Sequence, residues 1–328
     1  MNVFVGCDLG GTNIKAGLVD VDEGKVLLSD SIPTLSRKGP ESVLGRMADL
    51  ILKLVEKSSF STNEIGGLGI SAPGMIDLEN NVTLFLPNLY GEWRGVPVGE
   101  IMYYHLGLDI SMLNDVRAIT FGEWAFGAGR GVDSMACFAV GTGVGGGLVV
   151  NNQLVLGIDG TAGELGHQTV DMNGPICGCG NHGCIEVYAS GPAIAAEAAR
   201  GVRQGWKTKI AEMIDNDLNK LTPEIVAKAA EMGDEFALEV WKRAGTYLGI
   251  GVANILISIG VKKVVIGGGV GKAGSLLLDP IRRVVKERVF LMPVEKVEIL
   301  NAKLGTKAGI VGMAAWSATK MGIKIGEE

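Results

Sequence analysis

Two stretches of the chain follow the same plan. Val3 to Asp20 (VFVGCDLGGTNIKAGLVD) and Ala136 to Asn151 (ACFAVGTGVGGGLVVN) each read as an apolar strand, a glycine-rich turn carrying a threonine, and a second apolar strand. Each is followed by a further short apolar run, Lys25 to Leu28 in the first case and Leu154 to Leu156 in the second. A repeated unit of this kind constrains the fold more than any other feature, because each copy needs its own sheet and its own covering helices. It predicts two similar α/β halves facing each other.

Ordinary α/β alternation fills the space between the copies. Glu41 to Lys57 carries Val43, Leu44, Met47, Leu50, Ile51 and Leu54 at helical spacing, and Ile65 to Ile70 reads as the next strand. Past Ser190 the pattern turns mostly helical, with Ser190 and Thr222 as N-caps, Pro223 at a first helical position and Gly233 as a stop. The apolar stretch from Leu248 to Val261 contains Asn254 and Ser258 and stops at Lys262-Lys263. It falls short of the roughly 20 residues a membrane span needs and reads as a buried helix. Val264-Val265-Ile266 returns as a strand, and Lys307 to Lys320 as a closing helix that packs back on the first half.

Composition narrows the function classes. With 328 residues, 47% apolar and 20% charged, the chain can build two ordinary cores, which excludes disorder. A net charge of −6 without any long run of Lys and Arg gives no field for a phosphate backbone, so nucleic acid is not an expected partner. The opening Met1-Asn2-Val3-Phe4-Val5-Gly6 has neither a basic segment nor a long apolar one, so no secretion is expected and the cytoplasm is the expected location. The 50 glycines have no fixed period and so do not indicate collagen or low complexity.

Three glycine segments invite a phosphate reading. Gly141-Thr142-Gly143-Val144-Gly145-Gly146 has the spacing G-x-G-x-x-G, but the β-rich Gly147-Leu148-Val149-Val150 follows where a dinucleotide fold requires a helix. Gly267 to Lys272 lacks the first glycine and the Ser or Thr of a P-loop. What remains is that Asp8-Leu9-Gly10-Gly11-Thr12-Asn13 and Gly141-Thr142-Gly143 present backbone N–H groups and hydroxyls to phosphate oxygens.

Cysteine supplies the most specific signal. Cys7 and Cys137 sit in apolar strands and read as small buried hydrophobes. Cys177, Cys179 and Cys184 crowd together after nine residues that separate them from His167, and three thiolates with one imidazole make a closed tetrahedral zinc site. His182, inside the cysteine loop, is the rival fourth ligand. His167 is preferred because His182 stands so close to Cys184 that it would strain the wrap.

Asp8-Leu9-Gly10-Gly11-Thr12, Gly141-Thr142-Gly143 and Val265-Ile266-Gly267-Gly268-Gly269-Val270 resemble the first phosphate, second phosphate and adenosine segments of the hexokinase–actin–Hsp70 ATPase superfamily. Glu164-Leu165-Gly166-His167 with Cys177-Gly178-Cys179-Gly180-Asn181-His182-Gly183-Cys184-Ile185-Glu186 resembles the signature of the ROK family of repressors, open reading frames and kinases. The resemblance runs from Asp8 to the Leu304-to-Gly309 segment.

That resemblance implies a two-lobed actin-like ATPase (ribonuclease H-like) fold with a cleft between the lobes. The smaller domain would comprise residues 1–115 plus about 307–328 and the larger residues 116–306, with the zinc loop at 167–184. It implies ATP and Mg²⁺, with Asp8 near the metal, Gly10, Gly11, Thr12, Asn13 and Lys15 on one side of the phosphates and Gly141, Thr142 and Gly143 on the other. Gly268 and Gly269 would lie beside the adenosine. A sugar would meet Gly74, Asn88, Asn114, Asp115, Glu164, His167 and Glu186, with His167 also on the zinc and Asp115 as the catalytic base.

Glucose leads among the implied substrates, ahead of N-acetylmannosamine, N-acetylglucosamine, allose and fructose. A homodimer is implied by family habit alone. The chain departs from the family pattern at Val116-Arg117, where smaller or amide residues are usual. The family also contains sugar-responsive repressors, which carry an added helix-turn-helix domain. With the first hairpin starting at Val3, no such domain is expected here.

Overall fold

The first repeated stretch folds as β1 (Val3–Leu9) and β2 (Asn13–Asp20), antiparallel, with Asp8 opposite Lys15, and β3 (Lys25–Pro33) extends the hairpin. The computed structural model describes residues 1–325. Helix α1 (Pro40–Lys57) buries the predicted row from Val43 to Leu54. The strand expected over Ile65 to Ile70 is β4 (Leu68–Ala72). It begins later because Thr62–Glu64 forms a single 3-10 turn, closed by reciprocal hydrogen bonds between Ser61 and Glu64, that ends only at Ile65.

After β5 (Met75–Asp77), β6 (Val82–Phe85) and α2 (Val98–Leu106) come β7 (Ile110–Asn114) and α3 (Asp115–Phe126). Strand β4 runs parallel to both β1 and β7, so this sheet has the order β3-β2-β1-β4-β7.

The second repeat yields β8 (Met135–Val140), β9 (Val144–Val150) and the short β10 (Gln153–Leu154). A long helical excursion follows: α4 (Glu186–Ala189), α5 (Gly191–Arg203), α6 (Lys209–Met213), α7 (Pro223–Glu231) and α8 (Glu235–Ile259). Ser190 and Thr222 cap α5 and α7 as predicted. The chain then returns through β11 (Lys263–Gly267), α9 (Gly268–Gly271), α10 (Ser275–Arg288) and β12 (Glu298–Asn301). The order β10-β9-β8-β11-β12 repeats that of the first sheet, with a hairpin and third strand on one side and two parallel strands on the other.

The closing helix α11 (Ala308–Lys320) packs on β1 and β4. Glycine lets it do so: a Cβ on Gly6 would strike the Ile310 carbonyl, and one on Gly69 the Met313 carbonyl. Cys7 and Cys137 are fully buried among apolar neighbours. Two compact units result, one of residues 1–133, 148–163 and 303 onward, the other of residues 134–147 and 164–302. Helix α3 lies in the first unit, packed on α11, where the sequence reading ended the small domain at residue 115. Among the described residues no helix is long and apolar enough to cross a membrane.

Candidate active site

In the first unit the turn between β1 and β2 is closed by the Gly10 N–H donating to the Asn13 carbonyl at 3.0 Å. It is braced from the end of β3. The fully buried Thr34 donates its hydroxyl to the Gly10 carbonyl at 2.6 Å and its N–H to the Thr12 carbonyl at 2.8 Å. Thr12 and Asn13 are left exposed at the tip. Asn88 lies against the same turn, since a Cβ on Gly11 would stand 2.7 Å from the Asn88 carbonyl oxygen.

Asp8, at the end of β1, accepts a hydrogen bond from the buried Ser71 hydroxyl at 2.9 Å. Burial pushes its carboxyl above the usual 3.8, against the opposing pull of the Ser71 hydrogen bond and the Lys15 charge. An acid whose ionised form is disfavoured by burial suits a site that a cation completes. Ser71 is thus a partner of Asp8, a role that its place in Ser71-Ala72-Pro73-Gly74 did not signal. Thr34 was not visible either, since a lone threonine after a strand carries no pattern.

Asn114 and Asp115 stand where β7 gives way to α3. Asn114 is the N-cap, and its Oδ1 accepts from the N–H groups of Val116 at 3.0 Å and Arg117 at 3.4 Å. Its amide donates to the Gly74 carbonyl at 3.2 Å, which brings Gly74 to the same place. Asp115 is half-buried in the first turn of α3, with Oδ1 accepting the Val116 N–H at 2.9 Å.

In the second unit the β8–β9 turn is closed by the Gly141 N–H donating to the Gly143 carbonyl at 2.8 Å. Thr142 is exposed at its tip. A Cβ on Gly268 would strike the Val140 carbonyl, so the expected adenosine segment lies directly beside this turn, and Gly269 opens onto unfilled space. Glu186, at the start of α4, accepts the Val144 N–H at 2.9 Å. Segment Glu164–His167 approaches the same residue, because a Cβ on Gly166 would meet the Val144 carbonyl.

The donor atoms of His167, Cys177, Cys179 and Cys184 all lie within 4.8 Å of one another. A tetrahedral zinc with bonds of about 2.3 Å to sulfur and about 2.0 Å to nitrogen separates two sulfurs by about 3.8 Å and sulfur from nitrogen by about 3.6 Å. Cys179 Sγ and Cys184 Sγ are 3.8 Å apart, and Cys177 Sγ and His167 Nδ1 are 3.6 Å apart. The four donors therefore fit the ion. Burial pushes the Cys177 thiol up to about 12, so a central cation is what would hold it as thiolate.

His182 turns its Nδ1 to the Gly174 carbonyl at 3.2 Å, outside the cluster, which decides the fourth position for His167. The other ring nitrogen of His167 faces Glu164, whose Oε2 is 4.0 Å away. Such an arrangement can present a carboxylate and an imidazole edge to hydroxyl groups while the metal fixes the ring.

Two sheets of one topology, each with a glycine turn at the end of its first strand, define an ATPase of the actin-like fold. A ROK family glucokinase from Streptomyces griseus, solved in complex with glucose and AMPPNP, superposes with a TM-score of 0.81 at 32% identity, covering 97% of this chain and 100% of that one. Residues 4–320 match the ROK family, and the chain belongs to it. A glucokinase from Thermotoga maritima is 36% identical over 97% of this chain and 98% of that protein. A xylose repressor from Bacillus subtilis is 30% identical over 95% of this chain but only 76% of its own length.

Proposed function

We propose that this chain is an ATP-dependent hexose kinase that phosphorylates glucose on its 6-hydroxyl, with Asp115 as general base. The observation that carries the kinase reading is Asp8. A carboxylate buried against Ser71, next to a glycine turn with Thr12 and Asn13 exposed at its tip, asks for a cation, and phosphoryl transfer from a metal-bound nucleotide supplies one where sugar sensing alone does not. Full-length similarity to glucokinases from Thermotoga maritima and Streptomyces griseus supports glucose as the sugar.

In this reading the exposed tips of the two turns, at Thr12-Asn13 and Thr142, receive phosphate oxygens, while the Gly10 and Gly141 N–H groups close the turns and Lys15 opposite Asp8 adds positive charge. Bound Mg²⁺ would neutralise charge on the transferring phosphoryl group, and Asp8 is the residue that would face it. Asp115, in the first turn of α3, accepts the proton of the attacking hydroxyl as that oxygen bonds to the γ-phosphorus. The bond from the γ-phosphorus to the bridging oxygen breaks, and ADP leaves. Glu164, His167 and Glu186 orient the sugar, Asn88 and Gly74 border it, and Asn114 acts through its cap. Zinc on His167 and the cysteines would fix the loop that carries these groups. A cytoplasmic setting and a homodimer belong to the same proposal.

The test is a coupled ADP-release assay with MgATP on glucose, N-acetylmannosamine, N-acetylglucosamine, allose and fructose, comparing wild type with Asp115→Asn. Glucose-dependent turnover that falls by roughly a hundredfold or more in the variant is the expected result. Turnover confined to another sugar would retain the kinase and remove glucose. Sugar binding without turnover on any of them would put a regulator in its place.

A further inference from the structure

Arg117, in the first turn of α3 next to Asn114 and Asp115, is only 2% exposed. A guanidinium is costly to bury unless each of its donors has an acceptor. Here the fork is used on two sides. Nε and Nη2 donate to the Ala162 carbonyl at 2.9 and 2.6 Å, and Nη2 also reaches the Thr161 carbonyl at 3.2 Å. Nη1 donates to Asn114 Oδ1 at 2.8 Å.

The Asn114 contact acts on the residue preceding the base. Asn114 Oδ1 is drawn toward α3 by the two cap N–H groups and by Arg117 together, so its amide nitrogen must face the Gly74 carbonyl. The guanidinium thereby fixes which way the amide points and holds the first turn of α3, where Asp115 stands.

The carbonyl contacts act on a loop built on one short 3-10 turn, Ile158–Gly160, whose Ile158 carbonyl accepts both the N–H and the hydroxyl of Thr161, at 3.0 and 2.6 Å. Gly157, Asp159, Gly160 and Gly163 all have positive φ, at 64°, 50°, 72° and 90°. Asp159 is strained there, as a non-glycine residue in the left-handed region. Thr161 and Ala162 lie at the end of this loop, and Gly163 leads directly into Glu164.

We propose that Arg117 is a positioning residue, a buried clamp that holds the loop of residues 157–163 to the N-terminus of α3 and so sets the sugar side of the reaction. The assignment rests on the kinase reading for its kinetic consequence but not for the clamp itself. A lysine could satisfy one carbonyl as a point charge and could not span to Asn114 as well.

Two measurements on the full-length protein test it. In hydrogen exchange without substrates, Arg117→Met is expected to raise exchange at residues 158–163 by roughly tenfold or more while the β1–β2 turn is unchanged. In steady-state kinetics, Arg117→Met is expected to raise KM for glucose roughly tenfold or more with KM for ATP within about twofold of wild type, and Arg117→Lys to fall between. Unchanged exchange in the loop overturns the clamp whatever the substrate is. Faster exchange, with both KM values rising together or only kcat falling, overturns the sugar-side role. If Arg117→Met does not fold, Arg117→Lys carries both measurements, with the same outcomes deciding. Failure of the kinase assay on wild type counts against the function alone, since the exchange result stands apart from it.

Discussion

The two glycine turns share one sequence plan but are held in different ways. The first is braced from within its own hairpin: Thr34, at the end of the neighbouring β3, bonds both sides of the turn. The second is braced from a distance in sequence. Glu186 accepts the Val144 N–H, the Gly191 N–H donates to the Gly141 carbonyl at 2.7 Å, and Gly166 packs on the Val144 carbonyl. All three braces belong to the segments that flank the cysteine loop. The turn is thus the same in both units while its support differs, and the second turn leans on segments that flank a cluster whose donors fit a metal ion.

The largest expected effect breaks the second turn and spares the first. Removing zinc with a chelator, or substituting Cys184→Ser, should cost about 4 kcal/mol or more of stability in the second unit. Hydrogen exchange should rise at Gly141 to Val144 and stay unchanged at Gly10 to Asn13. Equal loss of protection at both turns would show that the braces are not separate.

A smaller pair sharpens the comparison one brace at a time. Thr34→Val removes a buried hydroxyl that serves the first turn, and about 1 kcal/mol of stability is expected to go with it. Glu186→Ala removes the acceptor of the Val144 N–H and should raise KM for ATP by about fivefold, on top of its effect on the sugar. If Glu186→Ala altered only the KM for sugar, the brace on the second turn would be of no consequence for the nucleotide.

The smallest effect concerns the acid beside the first turn. Burial raises the native Asp8 value above the unfolded one. The fold therefore disfavours its ionised form, at no cost below the ordinary 3.8 and at increasing cost as pH rises through the native value. Asp8→Asn removes that cost while keeping an acceptor for Ser71. Without nucleotide or divalent cation, the variant is expected to melt a few degrees higher than wild type at about pH 7, with the gap closing toward about pH 4. A lower melting temperature at about pH 7 would show that Ser71 and Lys15 outweigh burial.

Much of this architecture was legible in the residues because it follows from period and punctuation. The repeated hairpin, the buried row on α1, the caps at Ser190 and Thr222 and the closing helix are local patterns that burial enforces. The start of β4 was misplaced because a 3-10 turn with a reciprocal cap absorbed the residues up to Ile65. The cysteine cluster was legible because thiolates at short spacing have few other uses. Its fourth member, His167 in preference to His182, is the histidine the structure brings to the cysteines.

By itself, the sequence determined two hairpin-led α/β halves, a cluster of metal donors and the order of the glycine turns, because each is a short-range pattern of residue types. Tertiary structure alone decided that Ser71 answers to Asp8 and Thr34 to the first turn, and it bore out the preference for His167 over His182 as the partner of the cysteines. It also decided that Arg117 spans from Asn114 to the Ala162 carbonyl. Each of these joins groups separated along the chain, and hydrogen bonds and coordination depend on distances of about 3 Å that only packing sets.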